Sequence, residues 1–539
     1  MNAFLSFVNR LQISRPLPLE EDSLAASVAV LLLIGSFSFW VFPLLHTCLS
    51  LTPSSTYGAN MMALLAHLFL VSGLAGLASA AALPGGPKTY AVDKTYSLMS
   101  DLGTNYTVYE HAATNSRMRL VADSGICETT KGVKQFSGYF DLGTDQNMFF
   151  WFFEAREKPN DAPVALWLNG GPGCSSMLGL FQENGPCTFN KGSKEPELNP
   201  NSWNNFANML YVDQPIGAGF SYGNNDVDST VKAAPKVWSF MQAFYAQYPD
   251  YKNREFGLFT ESYGGHYGPE FADHFQKQNE KIDKGELKGE KIKLVALGIN
   301  NIWIDAQNQY RDYLDYAINN TYNKLIDQAK YDELAQRYEK ECKPTMEQCN
   351  AVEGNNDACV ASETACYNAI EAPLEAVKTF NVYDVRAKDD KFPPNTYLQY
   401  LQKPETIKAI GAKSSYNECP QGPYDKFVAT GDGQRSFLNR LKDVASKDVT
   451  VLVWAGDADF ICNYIGNYRA VSRMVGDEFE KAEMKDFVID GKKKGEYKSV
   501  KNVSWLRVYE AGHGLMAYQP EVALAAFKQT MQKKPISSP

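Results

Sequence analysis

Apolar residues in this chain gather in short continuous runs separated by longer mixed segments. The runs are FFWFFEA (149–155), VALWL (164–168), NMLYVD (208–213), FGLFT (256–260), KLVALGI (293–299), VTVLVWAG (449–456) and WLRVYEAG (505–512). Runs without polar alternation are typical of strands buried on both faces. Stretches with helical spacing, such as 230–248 and 265–280, lie between them. Strands that alternate with helices predict a mainly parallel α/β sheet with helices on both faces.

The pattern changes from about 306 to 380, where the chain is polar, helical and cysteine-rich, with DQAKYDELAQRYEKEC the clearest amphipathic stretch. Apolar strand-like runs resume near 449. The segment reads as a helical cap insertion (306–380) between two parts of one core, 118–305 and 381–535. Residues 81–117 read as a leader or loosely attached arm.

Between Ser23 and Pro87 there is no Lys, Arg, Asp or Glu. Two apolar runs lie inside that stretch, at 27–45 and 61–80. The second ends in Ala78-Ser79-Ala80, the small-x-small pattern of a cleavage site, and reads as a signal peptide. Residues 1–60 would then be an upstream extension. The first run is long enough to span a bilayer, so membrane attachment is expected only if 27–45 is retained.

Cysteine usage agrees with export to a secreted or vacuolar destination. Nine cysteines follow the signal, and an odd number in an oxidising compartment implies bridges plus one free thiol. Cys342, Cys349, Cys359 and Cys366 are separated by six, nine and six residues, which suits nested bridges, Cys342–Cys366 around Cys349–Cys359. Zinc is not favoured there, because no C-x-x-C occurs and no histidine is near. Sequons stand at Asn105, Asn319 and Asn502, candidates for glycosylation. The whole chain has 539 residues and a formal charge of −9, which disfavours nucleic acid as a partner.

Chemistry in open α/β sheets collects at the carboxyl ends of strands. Four such ends carry NGGPGCSS, ESYGG, DADF and GHG. They supply Ser262, an acid that is either Asp457 or Asp459, and His513. Ser…Asp…His is the chain order of the α/β-hydrolase triad. Of six histidines, His46, His67 and His111 precede the fold, and His266 and His274 sit on the helix after Ser262, so His513 is the expected base. One feature departs from the generic Gly-x-Ser-x-Gly turn: Thr260 stands at the first glycine position.

WLNGGPGCSS, ESYGG, WAGDADFICNYIGN and the AGH loop resemble the serine carboxypeptidase family. The similarity runs from QFSGYFDLG (135–143) to PEVAL (520–524). The resemblance implies an α/β-hydrolase fold, mainly parallel at its centre, with a helical, disulfide-bridged cap. It implies Ser262, Asp459 and His513 as the catalytic triad, and Gly171 and Tyr263 N–H groups as the oxyanion hole. It also implies that Asn169, Gly170, Glu183 and Glu261 hold the substrate's C-terminal carboxylate. Two glutamates can grip a carboxylate only if protons are shared, which predicts an acid-favouring enzyme. Cys462 matches the family's unpaired thiol near the substrate pocket. Cys174 is expected to pair with Cys419, which leaves Cys127–Cys187 by exclusion. Gly514 departs from the carboxypeptidase Y type, where a methionine commonly follows the histidine, and bears on the leaving residue rather than the reaction.

The expected function is a serine-type carboxypeptidase acting through an acyl-enzyme on peptide and protein C-termini, with no metal or cofactor. An acyltransferase on the same scaffold, or a secreted esterase, is the alternative.

Overall fold

The computed structural model describes residues 96–539 except 102, 112–114, 191, 352–354, 378–379 and 390–391. The expected extension, signal and 27–45 run lie outside the described residues. No helix among the described residues is long and apolar enough to cross a membrane.

Thirteen strands form the main path of the sheet, with a two-residue strand beside it. Five come first: β1 (Tyr96–Asp101), β2 (Thr104–His111), β3 (Ser116–Ala122), β4 (Gln135–Leu142) and β5 (Gln146–Phe153). The parallel centre uses β6 (Val164–Leu168), β7 (Asn208–Val212), β8 (Phe256–Ser262), β9 (Leu294–Ile302) and β10 (Thr450–Gly456). The chain closes with β11 (Lys485–Ile489), β12 (Lys492–Val500) and β13 (Val503–Val508). The spatial order is β1-β2-β3-β4-β5-β7-β6-β8-β9-β10-β13-β12-β11. Every pair from β7 to β13 across the centre is parallel, whereas β1–β5 and the β11–β12–β13 end are antiparallel.

The residues 96–111 correct one expectation. They form β1 and β2 of the sheet rather than a loose arm, with β2 paired to β3 through Thr107–His111. Thr104, Tyr106 and Val108 alternate inward along β2, a period-two pattern unlike the continuous apolar runs of the central strands.

Continuous apolar runs are explained by the two faces they serve. Leu166, Leu258 and Val453 enter one core, while Trp167, Phe259 and Trp454 one position later enter the other. The first core is closed by α2 (Thr230–Gln247), α3 (Gly264–Asp283), α8 (Leu438–Ala445) and α9 (Tyr464–Val475). The second is closed by α1 (Met177–Gln182) and α10 (Pro520–Met531), whose Phe527 stacks on Trp203 with centroids 4.2 Å apart.

The insertion is helical: α4 (Ala306–Asn319), α5 (Gln328–Arg337), α6 (Lys343–Ala351) and α7 (Asn356–Cys366). Its own apolar cluster extends to Ala458 and Phe460, in the loop that carries the candidate acid.

Candidate active site

Ser262 is the last residue of β8, and α3 begins two residues later at Gly264. Its φ is +63°, in the left-handed region that non-glycine residues rarely adopt. No side chain caps the start of α3, so Ser262 is not serving as a helix cap. Thr260 fits because the close approach is provided from the other side. A Cβ on Gly264 would lie 2.5 Å from the Thr260 Cβ. Thr260 Oγ1 instead donates to Gly264 O at 2.8 Å and ties the strand end to the first turn. Trp303 N donates to Ser262 O at 3.0 Å across the neighbouring strand end.

His513 Nδ1 donates to Asp459 Oδ2 at 2.9 Å, which leaves Nε2 as the nitrogen available to a nucleophile. Asp459 is fully buried. The same oxygen also accepts from Asn301 Nδ2 at 2.6 Å and from the Cys462 N–H at 3.2 Å. Asp457, the rival from spacing, faces elsewhere: it accepts from Tyr322 OH at 2.6 Å and Glu510 N at 2.9 Å, and meets Arg507. The His513 backbone is held by its N–H donating to Tyr383 O at 2.9 Å.

Cys462 joins these groups. It is a buried free thiol beside Ser262. Its sulfur lies within 4.8 Å of ligand atoms on Asp459 and His513. Burial, then the Asp459 charge, pushes the thiol pKa well up. Among the described residues this trio is the one grouping with metal-ligand spacing, and its Asp459 Oδ2 already accepts three hydrogen bonds.

Facing the serine is the loop after β6. A Cβ on Gly170 would stand 2.4 Å from Tyr263 N and 2.9 Å from Ser262 Cβ, so only glycine lets the loop and elbow meet. Gly171 has φ +112°. Tyr263 N–H lies at the start of α3, where N–H groups have no intrahelical partner and the helix dipole favours negative charge. The two candidate oxyanion donors thus sit on segments in direct contact.

Glu261, beside the nucleophile, points into a buried polar cluster. Asn169 Nδ2 stands 3.3 Å from Glu183 Oε1 and 3.3 Å from Glu261 Oε1. Asn169 Oδ1 accepts from Trp167 Nε1 at 2.8 Å and Gly179 N at 2.9 Å, which fixes the amide with its nitrogen towards the acids. Burial, then the neighbouring Glu183, raises the Glu261 pKa well above the ordinary range. Burial also raises that of Glu183. Burial holds both acids towards their protonated forms. Glu183 Oε2 is buried without a partner, and Gly514 lies against it.

Two residues of the site escape the sequence reading. Asn301 holds Asp459, and Asn300 Nδ2 donates to Glu261 Oε2 at 2.8 Å and to His513 O at 3.1 Å. The available signal was a pair of amides at the carboxyl end of a run otherwise as apolar as LVALGI. His266 is buried, stacked on Tyr263 with centroids 4.5 Å apart, and donates through Nδ1 to Trp303 O at 2.6 Å.

Cysteines are joined as Cys127–Cys187, Cys174–Cys419, Cys342–Cys366 and Cys349–Cys359. Asn105 and Asn319 are exposed. The fold argues against a glycan on Asn502, because its amide nitrogen donates to Ala445 O at 2.8 Å and Val449 O at 2.7 Å.

Comparison with known proteins gives the same direction. The serine carboxypeptidase family model matches residues 126–533. Carboxypeptidase S1 of Penicillium janthinellum is 53% identical over 422 residues, 78% of this chain and 100% of that protein. Carboxypeptidase Y of Schizosaccharomyces pombe is 38% identical, over 73% of this chain and 40% of its own length. Among solved structures, a prohormone-processing carboxypeptidase of Saccharomyces cerevisiae superimposes with a TM-score of 0.66 at 23% identity, covering 76% of this chain and 93% of its own. That likeness shows the α/β-hydrolase fold, and the matches in sequence show that the chain belongs to the serine carboxypeptidase family.

Proposed function

We propose that this protein removes the C-terminal residue of peptides through an acyl-enzyme on Ser262, with His513 as base and Asp459 as the acid that orients it. Ser262 Oγ attacks the carbonyl carbon of the last peptide bond as its proton passes to His513 Nε2. Charge on the carbonyl oxygen is met by the N–H groups of Gly171 and Tyr263. The proton then passes to the leaving nitrogen, the free amino acid departs, and water hydrolyses the ester by the same base.

One observation carries the exopeptidase reading: the residue before the nucleophile belongs to a buried pair of acids held by one asparagine. A protonated Glu183–Glu261 pair donates hydrogen bonds to a carboxylate, and Asn169 and the Gly170 N–H complete the set. Ester hydrolysis has no use for such a grip beside the serine. The four disulfides support a route through the secretory pathway to the outside or to a vacuole. The test is release of free amino acids from N-blocked dipeptides. Ser262→Ala should abolish it while thermal unfolding stays cooperative, and retained turnover would remove the mechanism.

A further inference from the structure

Tyr263 enters this mechanism through its backbone N–H, yet its side chain is anchored as closely as any in the site. The ring is stacked on His266 with an interplanar angle of 22°. Its hydroxyl donates to Asp432 Oδ2 at 2.7 Å. The same oxygen accepts from Thr230 N at 3.0 Å and Thr230 Oγ1 at 2.5 Å, at the first residue of α2. Asp432 is 1% exposed, and a carboxylate that dry persists only where hydrogen bonds replace its water.

The segment that carries Asp432 is itself gripped from the cap and from the core. Gly431 has φ +59°, and a Cβ there would lie 2.5 Å from Cys359, in the inner bridge of the insertion. Gly433 O accepts from Trp303 Nε1 at 2.7 Å. Gln434 Nε2 donates to Tyr310 OH of α4 at 3.1 Å, and Gln434 O accepts from Asn350 Nδ2 of α6 at 3.2 Å. Trp303 also supports the Ser262 carbonyl and accepts from His266. Asp432 is therefore fixed independently of the elbow it touches.

We propose that Asp432 is a positioning residue for the oxyanion hole, acting through the Tyr263 hydroxyl to fix the direction of the Tyr263 N–H. The proposal rests on the reading of Tyr263 as an oxyanion donor. That N–H belongs to the peptide plane between Ser262 and Tyr263, and Ser262 is held at positive φ. Rotation of this plane, about Ser262 ψ and Tyr263 φ, would swing the donor off the oxyanion. A ring pinned at its far end opposes the rotation. Donors contribute to rate only when they are fixed before charge develops.

The experiment compares Tyr263→Phe, Asp432→Ala and the double variant, all on enzyme counted by active-site titration with an organophosphate. Tyr263→Phe keeps the ring and the backbone donor and leaves Asp432 bonded to Thr230. It should lower kcat on a blocked dipeptide by about 10-fold, with KM changed by less than about twofold. Affinity for a peptide aldehyde, whose adduct places an oxyanion in the hole, should fall by the same factor. Affinity for the blocked amino-acid product should not move. Asp432→Ala should behave alike, and the double variant should be no worse than the poorer single one. Should Asp432→Ala fail to fold, Tyr263→Phe decides alone. The proposal is overturned if Tyr263→Phe keeps kcat within about twofold of the parent, if aldehyde and product weaken equally, or if the losses multiply in the double variant. Turnover surviving in Ser262→Ala would overturn the mechanism itself. An inactive Ser262→Ala beside an unimpaired Tyr263→Phe removes only the role of Asp432.

Discussion

Glu183 and Glu261, 78 positions apart in the chain, present one carboxyl oxygen each to the same amide nitrogen of Asn169, both at 3.3 Å. Both acids are raised above the ordinary glutamate value of 4.5, first by burial, with Glu261 pushed further by its neighbour. The protonated pair can donate to a substrate carboxylate, and the ionised pair repels it. KM for free-acid dipeptides should therefore rise as pH climbs through the raised values, while C-terminally amidated analogues stay nearly flat. Glu183→Gln with Glu261→Gln should remove that pH dependence and weaken free-acid substrates by about 10- to 100-fold, the worth of one or two hydrogen bonds to a charged group. Parallel losses on acid and amide would show that the grip is misplaced.

The same pair makes a claim about stability. Folded-state values above the unfolded ones mean that the contribution is complete below about 4.5 and is lost as pH rises through the folded values. Melting temperature should decline with pH over that window in the parent. The double glutamine variant, which carries no titrating pair, should decline less. Identical slopes in the two proteins would count against a shared proton.

Asp459 holds His513 while Asn301 holds Asp459, which makes a chain of two supports behind the base. Asp459→Asn should reduce kcat by about 10⁴-fold, because the amide favours the wrong tautomer of the imidazole. Asn301→Ala should cost about 10-fold in kcat at unchanged KM, since it removes one hydrogen bond to a charged acceptor. Asp457→Asn should leave kcat close to the parent, because its partners are Tyr322, Glu510 and Arg507. Steady-state kinetics on one blocked dipeptide separates the three.

The legible part of this site is the part that sits at strand ends with unusual chemistry. Ser262 stood between an apolar run and a glycine pair, and His513 was the one histidine left in a glycine-flanked loop after a strand. Six central strands were visible because burial on both faces leaves continuous apolar runs, as Leu258 and Phe259 show by entering opposite cores. Asn300 and Asn301 were not visible, because an amide is ordinary in composition and its role depends on which strands become neighbours. The strands β1 and β2 were missed for a related reason: YSLMSD and TNYTVYEH hold no continuous apolar run, and the pairing of β2 with β3 is a fact of tertiary contact. Choosing Asp459 over Asp457 needed either the family resemblance or the loop geometry, since two residues of spacing hold no direction.

Gly170 tests whether the oxyanion loop and the elbow are built as one piece. A methyl group there would lie 2.4 Å from Tyr263 N and 2.6 Å from Glu261 O, and both of those atoms are backbone. Gly170→Ala should therefore lower kcat by about 100-fold through displacement of the donors. Overpacking should also cost about 1–3 kcal/mol of stability, read by denaturant unfolding. A variant that keeps full activity would mean the loop can retreat without consequence.

Cys462 offers a last discriminating reagent. Its thiol is buried beside Ser262 and raised in pKa by burial and by the Asp459 charge. Thiolate is the form that alkylating agents attack, so iodoacetamide should react far more slowly than with an unperturbed cysteine near pKa 8.5. Mercuric ion binds neutral thiols with loss of a proton and should inhibit by occupying the space beside Ser262 and His513. Cys462→Ser should retain measurable activity and lose the mercury sensitivity, while the four bridged pairs stay untouched. Mercury inhibition that survives in Cys462→Ser would place the sensitive group elsewhere. Rapid alkylation in the parent would show that the thiol is less buried than its contacts indicate.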